Sequence, residues 1–312
     1  MSLRIGFIRV RYQEAPEVVE NVSPKVAEYS SIFAFPSSPT FERVMSTDYR
    51  GIKIVRVDDS ILVSLFGYMG ERDKFRRPVL TARIIVFDEE AFDIYGRSPS
   101  RIVDYINKMN RFDANDFTSF IKKTAPMFNR SSFKETVSGF SIRFISSLAC
   151  SIFRYKSGIV LYDNWINALK VLDLIYLTSP IMALRDISVS TDCGDLKSDD
   201  REDIVFVYSK DKKAKKDAKN ISRRKKIPLI RENEVSMKCD MTNAFEVIIK
   251  EMIDDFDWFG MSWNEKYRIL IDFMNKRLSG ERISLADMND SLRKILETAK
   301  RIEGVEDVWR RI

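Results

Sequence analysis

The sequence predicts an α+β protein, and three observations lead there. Residues 51–87 hold three apolar, β-branched runs joined by short polar connections, as in an antiparallel meander; parallel strands would need long crossovers. Beyond residue 98 apolar residues recur every three or four positions, the period of a helix buried along one side. Short apolar runs then return at 158–162, 186–192 and 203–209 among helical stretches. The expected architecture is an N-terminal antiparallel sheet with helices, a middle α/β unit and a C-terminal helical segment. The expected domains are 1–111, 112–230 (ending in a basic segment) and 240–312.

Each element has its own signal. RIGFIRVRY (4–12) alternates weakly and reads as a strand, and SIFAF (31–35), closed by Pro36, as a short one. GIKIVRVDD (51–59) alternates Ile52 and Ile54 against Lys53 and Arg56, so Lys53 is expected on a polar face. Asp58-Asp59-Ser60 is turn chemistry leading into ILVSLFGYMG (61–70), and a polar loop then precedes VLTARIIVF (79–87). DEEAFDIYG (88–96) reads as a short helix with acids in its first turn. Ser98-Pro99 is a cap followed by Pro at the first helical position, opening a helix that places Ile102, Val103 and Ile106 together.

Residues 113–123 and 131–155 predict two further helices, the second with Phe140, Phe144, Leu148 and Ile152 in one stripe. GIVLY (158–162) is a buried strand, and a helix opened at Asp163 carries Trp165, Ile166, Leu169, Leu172 and Leu174. DISVSTD and DIVFVYS are strands, and the basic segment after them reads as a connection to IPLIREN. Helices are expected over 243–256, 262–278 and 284–302, with Gly280 and Gly304 where they should stop.

The chain of 312 residues contains no histidine, which excludes Ser-His-Asp and Cys-His nucleophiles and imidazole metal ligation. Neither GxxxxGK[ST], GxGxxG nor GxSxG occurs, so phosphate-cradling glycine loops and a nucleophile elbow are missing. Cys150, Cys193 and Cys239 are far apart and form no CxxC, so neither a disulfide framework nor a zinc knuckle is indicated. No apolar run reaches transmembrane length and the start lacks a secretory pattern, so the expected setting is cytoplasmic. Acidic pairs at 58–59, 88–90, 199–203 and 254–257 are the remaining candidates for a metal-dependent carboxylate enzyme, though acids at such turns and helix starts commonly serve the helix dipole. No cofactor, no metal site and no catalytic residue are assigned.

Charge is concentrated. Segment 210–226, KDKKAKKDAKNISRRKK, carries ten Lys/Arg against two Asp, a local +8 within a net +6, leaving −2 for the remainder. Lys212, Lys213, Lys215, Lys216, Arg223, Arg224, Lys225 and Lys226 are candidates for phosphate or nucleic acid, because clustered cations bind by releasing counterions. The competing reading is a mobile loop or solvated helix face, or an internal pairing with the acidic 251–259. Between two strands, GYMGERDKFRRP (67–78) sets Arg72, Lys74, Arg76 and Arg77 with Tyr68 and Phe75, a pattern suited to an acidic partner surface.

The runs RDKFRRPVLTARIIVFDEEAFDIYGRSPSRIVDYI (72–106) and IVLYDNWINALKVLDLIYLTSPIMALRDISVSTD (159–192) resemble GTPase-associated regulatory proteins of the prokaryotic longin/DENN-like group. The resemblance implies a longin-like unit followed by a DENN-like unit, acting as an interaction platform for a small GTPase. The pattern is nearest at Arg76, Arg77 and Arg185. The expected function is a non-enzymatic regulatory protein with a protein partner, Tyr68, Arg72, Lys74, Phe75, Arg76, Arg77 and Arg185 being its contact residues. Nucleic-acid binding through 210–226 is the alternative.

Overall fold

The structure is a computed structural model that describes residues 5–11, 14–35, 50–72, 74, 78–88, 91–92, 98–108, 130–178, 184, 187–191, 196, 202–231, 233–239, 242, 245–246 and 249–250. Among the described residues, ten strands form one mixed sheet. In chain order they are β1 (Ile5–Arg11), β2 (Glu17–Glu20), β3 (Arg50–Val57), β4 (Ser60–Arg72), β5 (Pro78–Asp88), β6 (Gly158–Tyr162), β7 (Val189–Thr191), β8 (Ile204–Tyr208), β9 (Leu229–Arg231) and β10 (Glu234–Val235). Across the sheet they run β10-β9-β6-β8-β7-β3-β4-β5-β1-β2. The described helices are α1 (Pro24–Phe33), α2 (Pro99–Lys108), α3 (Arg130–Ser138), α4 (Ile142–Tyr155), α5 (Trp165–Thr178) and α6 (Lys212–Lys225). The fold is α+β, and no helix among the described residues is long and apolar enough to cross a membrane.

The meander follows from local chemistry. Val57 and Ser60 pair across a tight turn in which Asp58 takes a left-handed backbone (φ 51°), a conformation Asp tolerates better than most residues. β4 pairs with β5 from Ser60–Asp88 to Tyr68–Leu80 in regular register, and again at Arg72–Pro78 beyond a bulge. Ile8, Leu62, Phe66, Ala82, Ile84 and Val86 supply one buried face, with Val26 and Ala34 packed onto it. Each large aliphatic side chain removed from water contributes about 1.5–3 kcal/mol.

The second half has four parallel strands edged by β10, which pairs antiparallel with β9. β6 pairs in parallel with β8 on one side and β9 on the other, and β8 pairs in parallel with β7. All five residues of β6 are buried, as expected of a strand covered on both faces.

Within the sheet the halves meet where β3 and β7 pair. β7 pairs antiparallel with β3, placing Ser190 opposite Lys53 and Val189 opposite Ile54. The Ile52 N–H donates to Thr191 Oγ1 at 2.8 Å. A Cβ at Gly51 would sit 2.2 Å from the Phe66 ring and 2.6 Å from Thr191 Oγ1, so only glycine fits there. The expectation of a polar face for Lys53 is corrected. The residue is buried (5% exposed), its Nζ lies 2.8 Å from Oε1 of buried Glu202, and it donates to the Phe35 carbonyl at 3.0 Å. Both faces of β3 are covered, so alternation no longer marks an exposed side.

Other expectations are also corrected. Residues 31–33 end α1 rather than forming a strand, because Ser23 caps the helix by accepting from the Val26 N–H at 3.3 Å and Pro24 occupies its first turn. The single helix expected over 131–155 is two, α3 and α4, interrupted at Gly139; Ser141 restarts the second by accepting from the Phe144 N–H at 3.2 Å. Ile166 is 65% exposed and not part of the buried stripe of α5. The helices expected over 113–123, 262–278 and 284–302, most of 88–96 and the acidic 251–259 lie outside the described residues.

By internal contacts the chain divides into unit 1 (Met1–Met127 with Ser151–Met237) and unit 2 (Phe128–Cys150 with Lys238–Ile312). A division at 111–112 therefore does not separate the sheet, because β7 pairs with β3 and all ten strands belong to unit 1. In unit 2, Phe140 and Phe144 stack at 5.5 Å, and Phe245 and Ile249 are buried. The expectation of unpaired cysteines is overturned there: Cys150 and Cys239 form a disulfide with Cα atoms 6.1 Å apart, across 89 residues of sequence. Both are buried, and sequence distance concealed their proximity because the whole parallel half intervenes.

Two outcomes follow for stability. Lys53→Met should lower stability by about 3–5 kcal/mol in urea denaturation, since Glu202 loses its lysine, and adding Glu202→Gln should recover much of that loss. Cys239→Ser should cost about 2–4 kcal/mol, and dithiothreitol should shift the parent protein while leaving the variant unchanged.

Candidate nucleic-acid interface

The basic segment is a docked helix. Asp211 caps α6 by accepting from the Ala214 N–H at 2.9 Å. At its other end Lys226 takes a left-handed backbone (φ 52°), and Ser222 Oγ donates to the Ile227 carbonyl at 2.7 Å. Arg223, Arg224 and Lys225 fill the last turn, where cations favour the helix dipole. Ala214, Ala218, Ile221 and Ser222 are buried, a stripe at i, i+4, i+7 and i+8. With Ile227 its apolar members pack on Ile159 and Leu161 of β6, Val205 and Val207 of β8, and Leu229 of β9. The helix is thus the crossover from β8 to β9; of the two forms expected for the segment, a mobile loop or a solvated helix face, it takes the helical one.

That docking decides where the charge goes. Lys212, Lys213, Lys216, Arg223, Arg224, Lys225 and Lys226 are exposed, as is Lys210 just before the helix, while Lys215 and Lys219 are half-buried. The 14-residue helix is ~21 Å long at 1.5 Å per residue, so its outer face is a cationic rod. Lys212–Lys216, Lys215–Lys219 and Lys219–Arg223 are like-charged pairs at i, i+4, each costing a few tenths of a kcal/mol (~0.2–0.5). The buried stripe and both caps offset this, so the charge is retained at a local cost to the helix.

Strand directions place the other predicted residues. β4 is antiparallel to β3, β3 to β7, and β7, β8, β6 and β9 are mutually parallel. The carboxyl end of β4 therefore lies at the same end of the sheet as those of β6, β8 and β9, and as the amino end of α6. Tyr68 is half-buried and packs against the meander core, while Arg72 and Lys74 are exposed at the hairpin tip. Phe75, Arg76, Arg77 and Arg185 lie outside the described residues. The sequence reading missed exposed Arg50 at the start of β3 and Arg231 at the end of β9, which the strand directions bring to this same end. Only the pairing pattern could have found them.

β6 and β8 form a topological switch point: β6 connects through α5 to β7 beyond β8, and β8 through α6 to β9 beyond β6. At their carboxyl ends the Ser209 N–H donates to the Tyr162 carbonyl at 2.7 Å. Asp163 accepts from the side chains of Asn164 (2.9 Å) and Asn167 (2.8 Å), and Asn164 caps α5 through the Asn167 N–H.

Four described carboxylates of the acidic clusters, Asp58, Asp88, Glu202 and Asp203, have structural partners. Asp58 pairs with Lys25 at 2.8 Å, Asp88 accepts from the Ala91 N–H at 2.7 Å, and Glu202 pairs with Lys53. Asp203 accepts from the N–H and hydroxyl of Ser188, both at 2.8 Å. Among the described residues, no three Cys, Asp or Glu side chains gather in a metal-binding group. Asp173 on α5 is fully buried at the start of α2, accepting from the Ser100 N–H at 2.9 Å and from the Ser100 hydroxyl. Burial pushes its carboxyl up to about 7; the Ser100 and Ser98 hydrogen bonds and nearby Arg101 pull the other way.

The chain matches no protein-family model, and no curated protein is significantly similar to it.

Asp173 generates a pH dependence. Its carboxyl ionises near 3.8 when unfolded and near 7 when folded, so the folded chain binds the extra proton between those values. Its contribution to stability is fullest below about pH 4 and is lost as pH rises through about 7. Asp173→Asn should remove this dependence, so the melting temperature of the parent relative to the variant should fall between pH 5 and pH 7.5, as ~3 units of pH separate the two ionisations.

Proposed function

We propose that this is a non-enzymatic nucleic-acid-binding protein that grips the phosphate backbone with α6. One observation carries the reading: a capped helix, docked by a narrow stripe of alanine and isoleucine, turns seven exposed lysines and arginines outward. Clustered cations of this kind bind polyphosphates through counterion release, largely without regard to sequence. A pI near 9.0 agrees with this. The absence of aromatics from 210–226 favours backbone contact over base stacking.

A second reading, an interaction platform for a small GTPase, draws on the hairpin, where Tyr68 is anchored in the core and Arg72 and Lys74 are exposed. It rests on the resemblance to longin/DENN-like regulators, and a GTPase retained through the hairpin but indifferent to α6 would favour it.

The test is the salt dependence of binding. Replacing Lys212, Lys216 and Arg223 by alanine should weaken binding to DNA of any sequence and reduce the slope of log K against log salt by about one per residue. Unchanged affinity and slope, with the variant's circular dichroism intact, would falsify the reading.

A further inference from the structure

We infer that the β4–β5 hairpin and the amino end of α6 belong to one cationic rim that holds a nucleic-acid duplex, an inference that rests on the nucleic-acid reading. The sequence separates these two basic segments by more than a hundred residues, and the strand directions reunite them. Exposed Arg72 and Lys74 on the hairpin, Arg50 on β3, Lys210 and Lys212 after β8, and Arg231 on β9 all fall at one end of the sheet.

The dimensions suit a duplex. From β5 to β9 there are six strand spacings in the sheet order, ~29 Å at about 4.8 Å each, the length of roughly eight or nine base pairs. Arg50 pairs opposite Gly67, and past a bulge in β4 Arg72 pairs opposite Pro78, three residues beyond Thr81 on β5, so the hairpin overhangs the sheet by ~10 Å at about 3.3 Å per residue. A hairpin of that reach extends the rim outward as an arm beside the strand ends.

The opposite end of the meander carries Asp58, Asp59 and Asp88 together with Arg56 and Lys25, which pairs with Asp58 at 2.8 Å. Acids share the rim end: Glu14 pairs with Arg11 at 3.3 Å and Glu17 with Arg9 at 3.9 Å, Glu234 lies opposite Arg231, and Asp163 and Asp211 accept hydrogen bonds from Asn side chains and the first turn of α6 respectively. Cations spread over several elements suit a wide, stiff polyanion, and α6 carries no aromatic side chain on which the bases of a single strand could stack.

The experiment compares Arg72→Glu/Lys74→Glu, Lys212→Glu/Lys213→Glu and the fourfold variant on a 12-base-pair DNA duplex and its single strand, by fluorescence anisotropy at two salt concentrations. The hairpin pair should weaken duplex binding about tenfold or more and reduce the salt slope by about two, and the fourfold variant should lose about twice that slope. Arg72→Ala/Lys74→Ala, checked by thermal melting, should give a smaller loss in the same direction with folding intact. Duplex binding that responds to the α6 pair but not to either hairpin pair would overturn the shared rim and leave the α6 reading standing. Single-strand binding as tight as duplex binding would overturn the choice of duplex. Indifference to both segments would overturn the rim together with the reading beneath it.

Discussion

The pairing of β3 with β7 is the constraint on which the rest of this sheet depends. It is short, with Lys53 opposite Ser190 and Ile54 opposite Val189, yet it joins a five-stranded antiparallel group to four parallel strands and their antiparallel edge strand β10. Three features hold it in register: the Thr191 hydroxyl beneath the Ile52 N–H, a glycine at 51 that lets Phe66 and Thr191 approach, and the buried Lys53–Glu202 pair. A buried ion pair adds little net stability over an apolar alternative, because desolvation opposes the Coulomb gain. Its value here is geometric. It ties Lys53 of β3 to Glu202, two residues before β8, and separating them would leave two charges in the interior without each other.

The same seam sets the direction of every strand in the parallel half. With β7 antiparallel to β3, the carboxyl ends of β6, β8 and β9 must lie at the end where the β4–β5 hairpin projects. α6, as the β8–β9 crossover, then starts at that end and runs back over the sheet. Its cations follow from a division of labour within the helix: small and branched apolar residues face β6, β8 and β9, and what is left is almost entirely lysine and arginine. The electrostatics of this surface is therefore a consequence of strand order as much as of composition.

Much of the fold was legible locally. The β3–β4 turn at Asp58-Asp59, the β-branched run of β5, the Ser98-Pro99 opening of α2 and the buried GIVLY strand carry their signals within a few residues. The failures were local signals outweighed by others. Ser23 with Pro24 made residues 31–33 helical despite their apolar β-like run, and Gly139 with Ser141 broke a periodicity that looks continuous from Ser131 to Tyr155. Of the candidate site, the charge of 210–226 was plain but its form was not. Ala214, Ala218 and Ile221 are too weak a stripe to announce a docked helix among ten cations, and only the apolar faces of β6, β8 and β9 supply their partner.

By itself the sequence determined the class of fold, the chemistry that a chain without histidine or glycine-rich phosphate loops must forgo, and the location of its charge along the chain. Those are properties of composition and short spacing, readable within a turn of helix or a pair of strands. The tertiary structure alone decided that Lys53 is an interior residue, that Cys150 meets Cys239, and that Arg50, Arg72, Lys210 and Arg231 end on one rim. Each of these depends on strand pairing between residues remote in sequence. Such pairing is selected by the joint burial of faces and saturation of backbone hydrogen bonds, which no short window of residues contains.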